Sequence, residues 1–139
     1  MESSGILMLI GKLSNGLRRE NAVSSSGVNA GRRVLSFLLS SEGGVYQKDV
    51  EKALFLRPSS ATSALKALET DGLIFRVPSK DDERFKRIVL TDKALALQSQ
   101  LEDELSGIEK YLTQGIGDDD IETFRAVCLK MLENIGSMA

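Results

Sequence analysis

Residues 58–91 read PSSATSALKALETDGLIFRVPSKDDERFKRIVLT, and this stretch decides the fold. Pro58 stands where a helix begins, because a first helical residue needs no N–H and a fixed φ suits it. Ala61, Ala64, Leu65 and Leu68 then share one face, and Asp71-Gly72 stop the helix. Gly72 supplies the left-handed residue that follows a helix end. Leu73–Val77 and Arg87–Leu90 are two short β-prone runs, separated by the polar and charged segment from Pro78 to Lys86. This pattern predicts a helix followed by a β-hairpin with a long charged tip. In the second strand Ile88 and Leu90 share one face, Arg87 and Val89 the other.

Upstream, Val50, Ala53 and Leu54 predict a short helix over Gln47–Leu56. Joined to the next helix through a tight connection around Leu54–Arg57, it makes a helix-turn-helix. Such a unit offers the N-terminal half of its second helix to a DNA major groove. Here that half carries Ser59, Ser60, Thr62 and Ser63, with Lys66 one turn on. Small hydroxyl side chains let a helix sit deep and bond phosphates or bases, although they discriminate bases weakly. A hairpin attached directly to a helix-turn-helix is a wing, and wing cations can enter the neighbouring minor groove. The tip places Lys80, Arg84, Lys86 and Arg87 on both sides of the acidic residues Asp81, Asp82 and Glu83.

These residues resemble the MarR (multiple-antibiotic-resistance regulator) family of winged-helix transcription factors. Leu68-Glu69-Thr70-Asp71-Gly72-Leu73-Ile74 is similar to that family's L-E-x-x-G-L-I/V. Asp82-Glu83-Arg84 followed by Ile88-Val89-Leu90-Thr91 is similar to its D-x-R wing and closing L-T. The resemblance implies that Arg84 enters the minor groove, that Asp82 orients it by a salt bridge, and that Ser59 to Lys66 lie on the recognition helix. It also implies that the terminal helices form a dimer interface. Arg57 and Tyr46 depart from the pattern, standing where the family usually has small capping residues, and the recognition helix is poor in arginine.

The rest of the chain reads as helix. Ile6, Leu9, Ile10, Leu13 and Leu17 form one stripe of a helix running to about Glu20, followed by the short linker Ser24-Ser25-Ser26-Gly27. A second helix starts near the N-cap residue Asn29, carries Val34, Leu35, Phe37, Leu38 and Leu39, and is ended by Gly43-Gly44. Beyond the wing, Thr91 caps a helix whose apolar residues are Leu97, Leu101, Leu105, Ile108 and Leu112, broken by Gly115 and Gly117. Asp119 with Glu122 makes a capping-box pattern for a last helix bearing Ile121, Phe124, Cys128, Met131 and Ile135. The order α-α-α-α-β-β-α-α is an α+β chain, mostly helical. It reads as one domain over 1–139, with a winged helix-turn-helix core at 29–91 and dimerisation helices at 1–20 and 92–139. Val127, Leu129 and Leu132 widen the apolar arc of the last helix, and closed twofold pairing is the commonest way to cover such a surface.

Composition excludes several other functions. The 139 residues contain no histidine and one cysteine. No Ser-His or Cys-His nucleophile pair, disulfide or Cys/His zinc cage can be built from one such chain, and no enzyme activity is expected. Asp118-Asp119-Asp120 lacks the spacing of a calcium loop, and Gly115-Ile116-Gly117 lacks the strand and third glycine of a dinucleotide site, so no metal or cofactor is expected. Cys128 reads as a buried small hydrophobe rather than a redox sensor. Glu2 sits where a signal peptide would carry positive charge, and no apolar run is long enough for a membrane span, so the reading is a soluble cytoplasmic protein without a membrane partner.

The net charge of −2 conceals an asymmetry: residues 1–56 and 57–93 each sum to +2, and residues 94–139 to −6. The expected function is a sequence-specific DNA-binding regulator, a homodimeric repressor on a near-palindromic double-stranded operator, released by a small organic effector. A hollow near Leu13, Leu17 and Phe37 is the expected seat of that effector. The competing reading is a winged-helix protein-interaction module that does not bind DNA, suggested by the serine-rich recognition helix and the negative total charge.

Overall fold

The computed structural model describes residues 5–19, 30–82 and 84–138. Its helices and strands are α1 (Ile6–Arg19), α2 (Ala30–Ser40), α3 (Gln47–Leu54), α4 (Pro58–Thr70), β1 (Ile74–Pro78), β2 (Lys86–Leu90), α5 (Asp92–Ala96), α6 (Gln98–Leu112) and α7 (Asp118–Gly136). The chain is mostly helical with one small antiparallel sheet, as the pattern predicts. It divides into two compact units, Met1–Ser106 and Gly107–Ala139. Asn29 and Glu20, expected at helix ends, lie outside the described residues.

In the first unit, Val34, Leu35 and Leu38 of α2, Val50 of α3, and Ala64, Leu65 and Leu68 of α4 bury one continuous core. The hairpin closes over it with Leu73, Ile74 and Ile88, and α5 and α6 add Ala94 and Leu101. Val34, Val50 and Leu65 are wholly enclosed, so one residue from each of three consecutive helices meets at the centre. The strands pair from Ile74 with Leu90 to Pro78 with Lys86. Pro78, which has no N–H to donate, sits at the last paired position of β1, where its missing donor is tolerated. Ile88 also bridges on its other edge to Val45, its N–H reaching the Val45 carbonyl at 2.8 Å. That bridge holds the hairpin to the chain just ahead of α3.

The first helix of the helix-turn-helix is shorter than expected, ending before Leu56. α3 stops at Leu54, and Phe55 takes a left-handed backbone at φ 53°. Pro58 disfavours helical backbone at Arg57, which is extended at ψ 152°, so the chain must turn within Phe55 and Leu56. The expected long helix after Thr91 is likewise two. Leu97 donates to the Ala94 carbonyl three residues back at 3.0 Å, a tighter turn that brings Ala94, Leu97 and Leu101 all onto the core side.

In the second unit, Gly115 at φ 78° turns the chain and Gly117 precedes α7. The expected capping box at Asp119 does not form: the N-cap is Gly117, two residues earlier, so Asp118, Asp119 and Asp120 all lie inside the first turn of α7. There they favour the positive end of the helix dipole, and Glu122 pairs with Arg125 at 3.2 Å. Cys128 is half-buried. Neither α1 nor α7 has a buried residue. Among the described residues no helix is long and apolar enough to cross a membrane.

Gly72 follows α4 at φ 75° with open space where a Cβ would stand. Gly72→Ala therefore meets no neighbour and carries the left-handed penalty alone, a loss of about 1–2 kcal/mol in urea-unfolding stability. Leu65→Ala, by contrast, leaves a void at the centre and costs about 2–5 kcal/mol.

Candidate nucleic-acid interface

α4 buries Ala61, Ala64, Leu65 and Leu68, which turns Ser59, Ser60, Thr62, Ser63 and Lys66 to the surface. The five residues singled out in the sequence thus form one exposed face, and it has two flanks. On the α3 flank, the Gln47 side-chain amide donates to the Thr62 hydroxyl at 2.9 Å, and to the Pro58 carbonyl and Glu51 carboxylate. Gln47 is thereby a clasp between the two helices of the motif. Nothing in its spacing marks it, because the contact spans fifteen residues. At the start of α3, the Tyr46 N–H donates to the Asp49 carboxylate at 2.8 Å, so the N-terminal position of tyrosine is satisfied by a residue inside the helix.

The opposite flank of α4, with Ser59, Ser60 and Ser63, borders a cavity of about 810 Å³ shared with α2 and α6. Leu35, Leu68, Leu73, Leu97 and Leu101 make its walls, and Arg32 and Glu104 pair across it. Gln100 first, and then Arg32, hold the Glu104 carboxyl below its ordinary value. Leu13, Leu17 and Phe37, near which a crevice between dimer helices and winged domain is expected, do not border this cavity. Phe37 packs against the core, and Leu13 is half-exposed.

The hairpin places Lys80, Arg84, Lys86 and Arg87 in solvent, with Asp82 half-buried between them. Arg84 is 85% exposed, yet its side chain is not loose. Its Nε donates to both Asp82 oxygens at 3.1 and 3.2 Å, and its Nη2 donates to Oδ2 at 2.8 Å. The Arg84 backbone N–H adds a fourth bond to Asp82 Oδ1 at 3.0 Å. A planar guanidinium meets a carboxylate edge in this paired fashion because its donors are fixed in a fork. The side-chain bonds from Arg84, and then its backbone N–H, hold the Asp82 carboxyl below its ordinary value, and Asp82 raises Arg84 in turn.

Phe85 follows with its ring 5.9 Å from the Arg84 guanidinium carbon. It was not singled out in the sequence, since a lone aromatic in a charged loop carries no spacing signal. The wing and α3 enclose a cleft of about 610 Å³ that gathers Gln47, Lys48, Asp82, Arg84, Phe85 and Lys86. Lys80 and Arg87 border neither hollow.

A helix-turn-helix followed by a two-stranded wing defines the class of winged helix-turn-helix proteins. The family model described as MarR family matches residues 32–84, from α2 to the tip of the wing. The structure of the S. aureus MepR–DNA complex is 22% identical with a TM-score of 0.81, covering 95% of this chain and 99% of that one. A MarR protein from Peptoclostridium difficile is 19% identical with a TM-score of 0.83, covering 97% of this chain and 90% of that one. CouR from Rhodococcus jostii, bound to p-coumaroyl-CoA, is 21% identical with a TM-score of 0.78, covering 93% and 92%. At these identities the likeness is one of fold. Residues 32–84 thus match the MarR family model, and the chain has the fold of the solved MarR-family structures over nearly its whole length.

The Asp82 carboxyl, observed by carbon NMR, titrates below the ordinary value of about 3.9, and in Arg84→Ala it returns toward that value. A depressed folded-state pKa stabilises the wing above the ordinary value and ceases to do so as pH falls through the lowered one. The clip is therefore fully formed from about pH 5 upward and opens only in stronger acid.

Proposed function

We propose that the chain is a DNA-binding transcriptional regulator, a homodimeric repressor of a near-palindromic operator that a small organic ligand releases. The observation that carries this reading is Arg84: a fully projecting cation clipped by four hydrogen bonds, on the same unit as an exposed Ser/Thr/Lys helix face. Fixing a projecting arginine in water has little value for folding, and it lowers the entropy lost on entering a groove. In this reading Ser59, Ser60, Thr62, Ser63 and Lys66 face the major groove. Arg84, oriented by Asp82, enters the flanking minor groove, and Lys80, Lys86 and Arg87 contact phosphates. The MepR structure is that of a DNA complex, which supports the assignment by likeness.

The dimer follows from the faces that the described chain leaves uncovered. Ile6, Leu9, Ile10 and Leu13 of α1 and Phe124, Leu132 and Ile135 of α7 are each more than two-fifths exposed. Residues 1–20 and 92–139 supply the interface, and 29–91 the winged core. Two copies related by a twofold then present two recognition helices about 34–36 Å apart, which is the spacing of successive major grooves. The cavity between α2, α4 and α6 is the seat proposed for the effector: its leucine walls suit an apolar body, and Arg32 with Glu104 suits a polar end. Occupation would bear directly on the serine flank of the recognition helix. The CouR structure, holding p-coumaroyl-CoA, supports a ligand of organic character by likeness.

Light scattering after size exclusion should give twice the 15.1 kDa chain mass at micromolar concentration; a folded monomer overturns the dimer. Fluorescence anisotropy on duplexes that the protein selects from a random pool should show affinity falling steeply with salt. Lys86→Ala should make the log–log salt slope shallower by about one unit. Arg84→Ala should also flatten the preference for A·T-rich flanks. Equal binding of both flanks and full parental affinity in Arg84→Ala would shift the assignment to a protein-interaction module.

A further inference from the structure

Phe85 is 49% exposed at the tip of a wing otherwise made of charged and polar side chains. Its backbone has no freedom to retract. The Phe85 N–H donates to the Asp82 carbonyl at 3.1 Å, and its carbonyl accepts from the Ser79 N–H at 2.8 Å, so the residue is part of the turn itself. Its ring borders the cleft between wing and α3, across from Tyr46 and Gln47. The Arg84 guanidinium therefore has two supports of different kinds. Asp82 occupies the Nε and Nη2 edge, and the ring attracts the cation through its electron-rich face. Asp82 alone fixes one edge and leaves rotation about it; the attraction of the ring, 5.9 Å away, disfavours that rotation. Nη1 is the donor of the fork that Asp82 does not occupy.

We propose that Phe85 is a specificity-determining residue of the wing. It holds the Arg84 guanidinium in the plane that enters the minor groove, and its open half packs against the deoxyribose walls of that groove. The inference rests on the DNA-binding reading given above and adds a second wing residue to it. Sugar C–H groups are the apolar surface that a groove wall offers, and both walls come within reach of one ring only where the groove is narrow. Narrow grooves belong to A·T-rich tracts, so Phe85 reinforces the selection that Arg84 makes by charge.

Two variants separate the roles of the ring. Phe85→Leu keeps apolar bulk in the turn and removes the aromatic face; Phe85→Tyr keeps the face. Each is titrated by anisotropy against parent-selected duplexes with A·T-rich or G·C-rich flanks, after urea unfolding has matched its stability to the parent. Phe85→Leu should weaken the A·T-flanked complex about two- to fivefold and leave the G·C-flanked one unchanged, while Phe85→Tyr keeps the parental preference. In the free protein, the NMR order parameter of the Arg84 Nε–H should fall in Phe85→Leu and hold in Phe85→Tyr. Parental flank preference and an unchanged order parameter in Phe85→Leu would overturn the proposal and leave the ring as filler for the turn. A parent that binds neither duplex overturns the DNA-binding reading itself, and with it any groove role for Phe85.

Discussion

The winged unit depends on one hydroxyl. Thr91 Oγ1 donates to the Gly72 carbonyl at 2.7 Å, lies 3.2 Å from the Leu73 carbonyl, and accepts from the Ala94 N–H at 3.3 Å. The Thr91 N–H reaches the Leu73 carbonyl at 3.0 Å. One residue thus ties the end of the recognition helix, the base of both strands and the start of α5. Lys93 Nζ donates to the Asp71 carbonyl at 2.8 Å beside it, which meets the last carbonyls of α4 with a cation. The direction in which the wing leaves α4 is set at this point, and the reach of Arg84 is set by that direction.

From that anchor the wing extends a charge that does not belong to the protein's average. The chain sums to −2, with its acidic excess in residues 94–139, while the hairpin projects Lys80, Arg84, Lys86 and Arg87, of which Arg84 is paired on one edge with Asp82. Electrostatic recognition depends on where charges stand rather than on their total. Asp82 carries the charge opposite to that of Arg84 and pairs with it. The geometry explains the pairing: the carboxylate is half-buried against the turn and the guanidinium projects beyond it, so the anion sets the orientation of the cation.

The terminal helices obey a different constraint. The first unit closes a complete core without α1, whose five consecutive apolar residues from Ile6 to Ile10 all remain exposed. α7 likewise leaves Phe124, Leu129 and Ile135 in solvent. Contiguous apolar surface of this kind is rare on a free monomer, and it is the physical ground on which the proposed dimer rests.

How much of this was legible in the sequence varies with how local the cause is. Pro58 and Gly72 mark the recognition helix because a ring and a missing Cβ act on their own backbone. Period-two alternation marks the strands, and the arrangement Asp82, Arg84, Thr91 marks the wing, because each signal is carried by near neighbours. The sequence by itself therefore determined the order of elements, the buried face of α4 and the residues that project from the wing. What it did not show depends on residues far apart or on competition between neighbours. The Gln47–Thr62 clasp and the Val45–Ile88 bridge need the helices already packed. Phe55 is left-handed because the flanking helices leave the chain nowhere else to turn, and α6 separates from α5 because Ala94 and Leu101 must both face the same core. The cavity beside the serines, and the ring laid beside Arg84, exist only once three elements and a tight turn converge. Tertiary structure decided these, since packing selects among backbone and side-chain states that differ by less than the energy of burying one side chain.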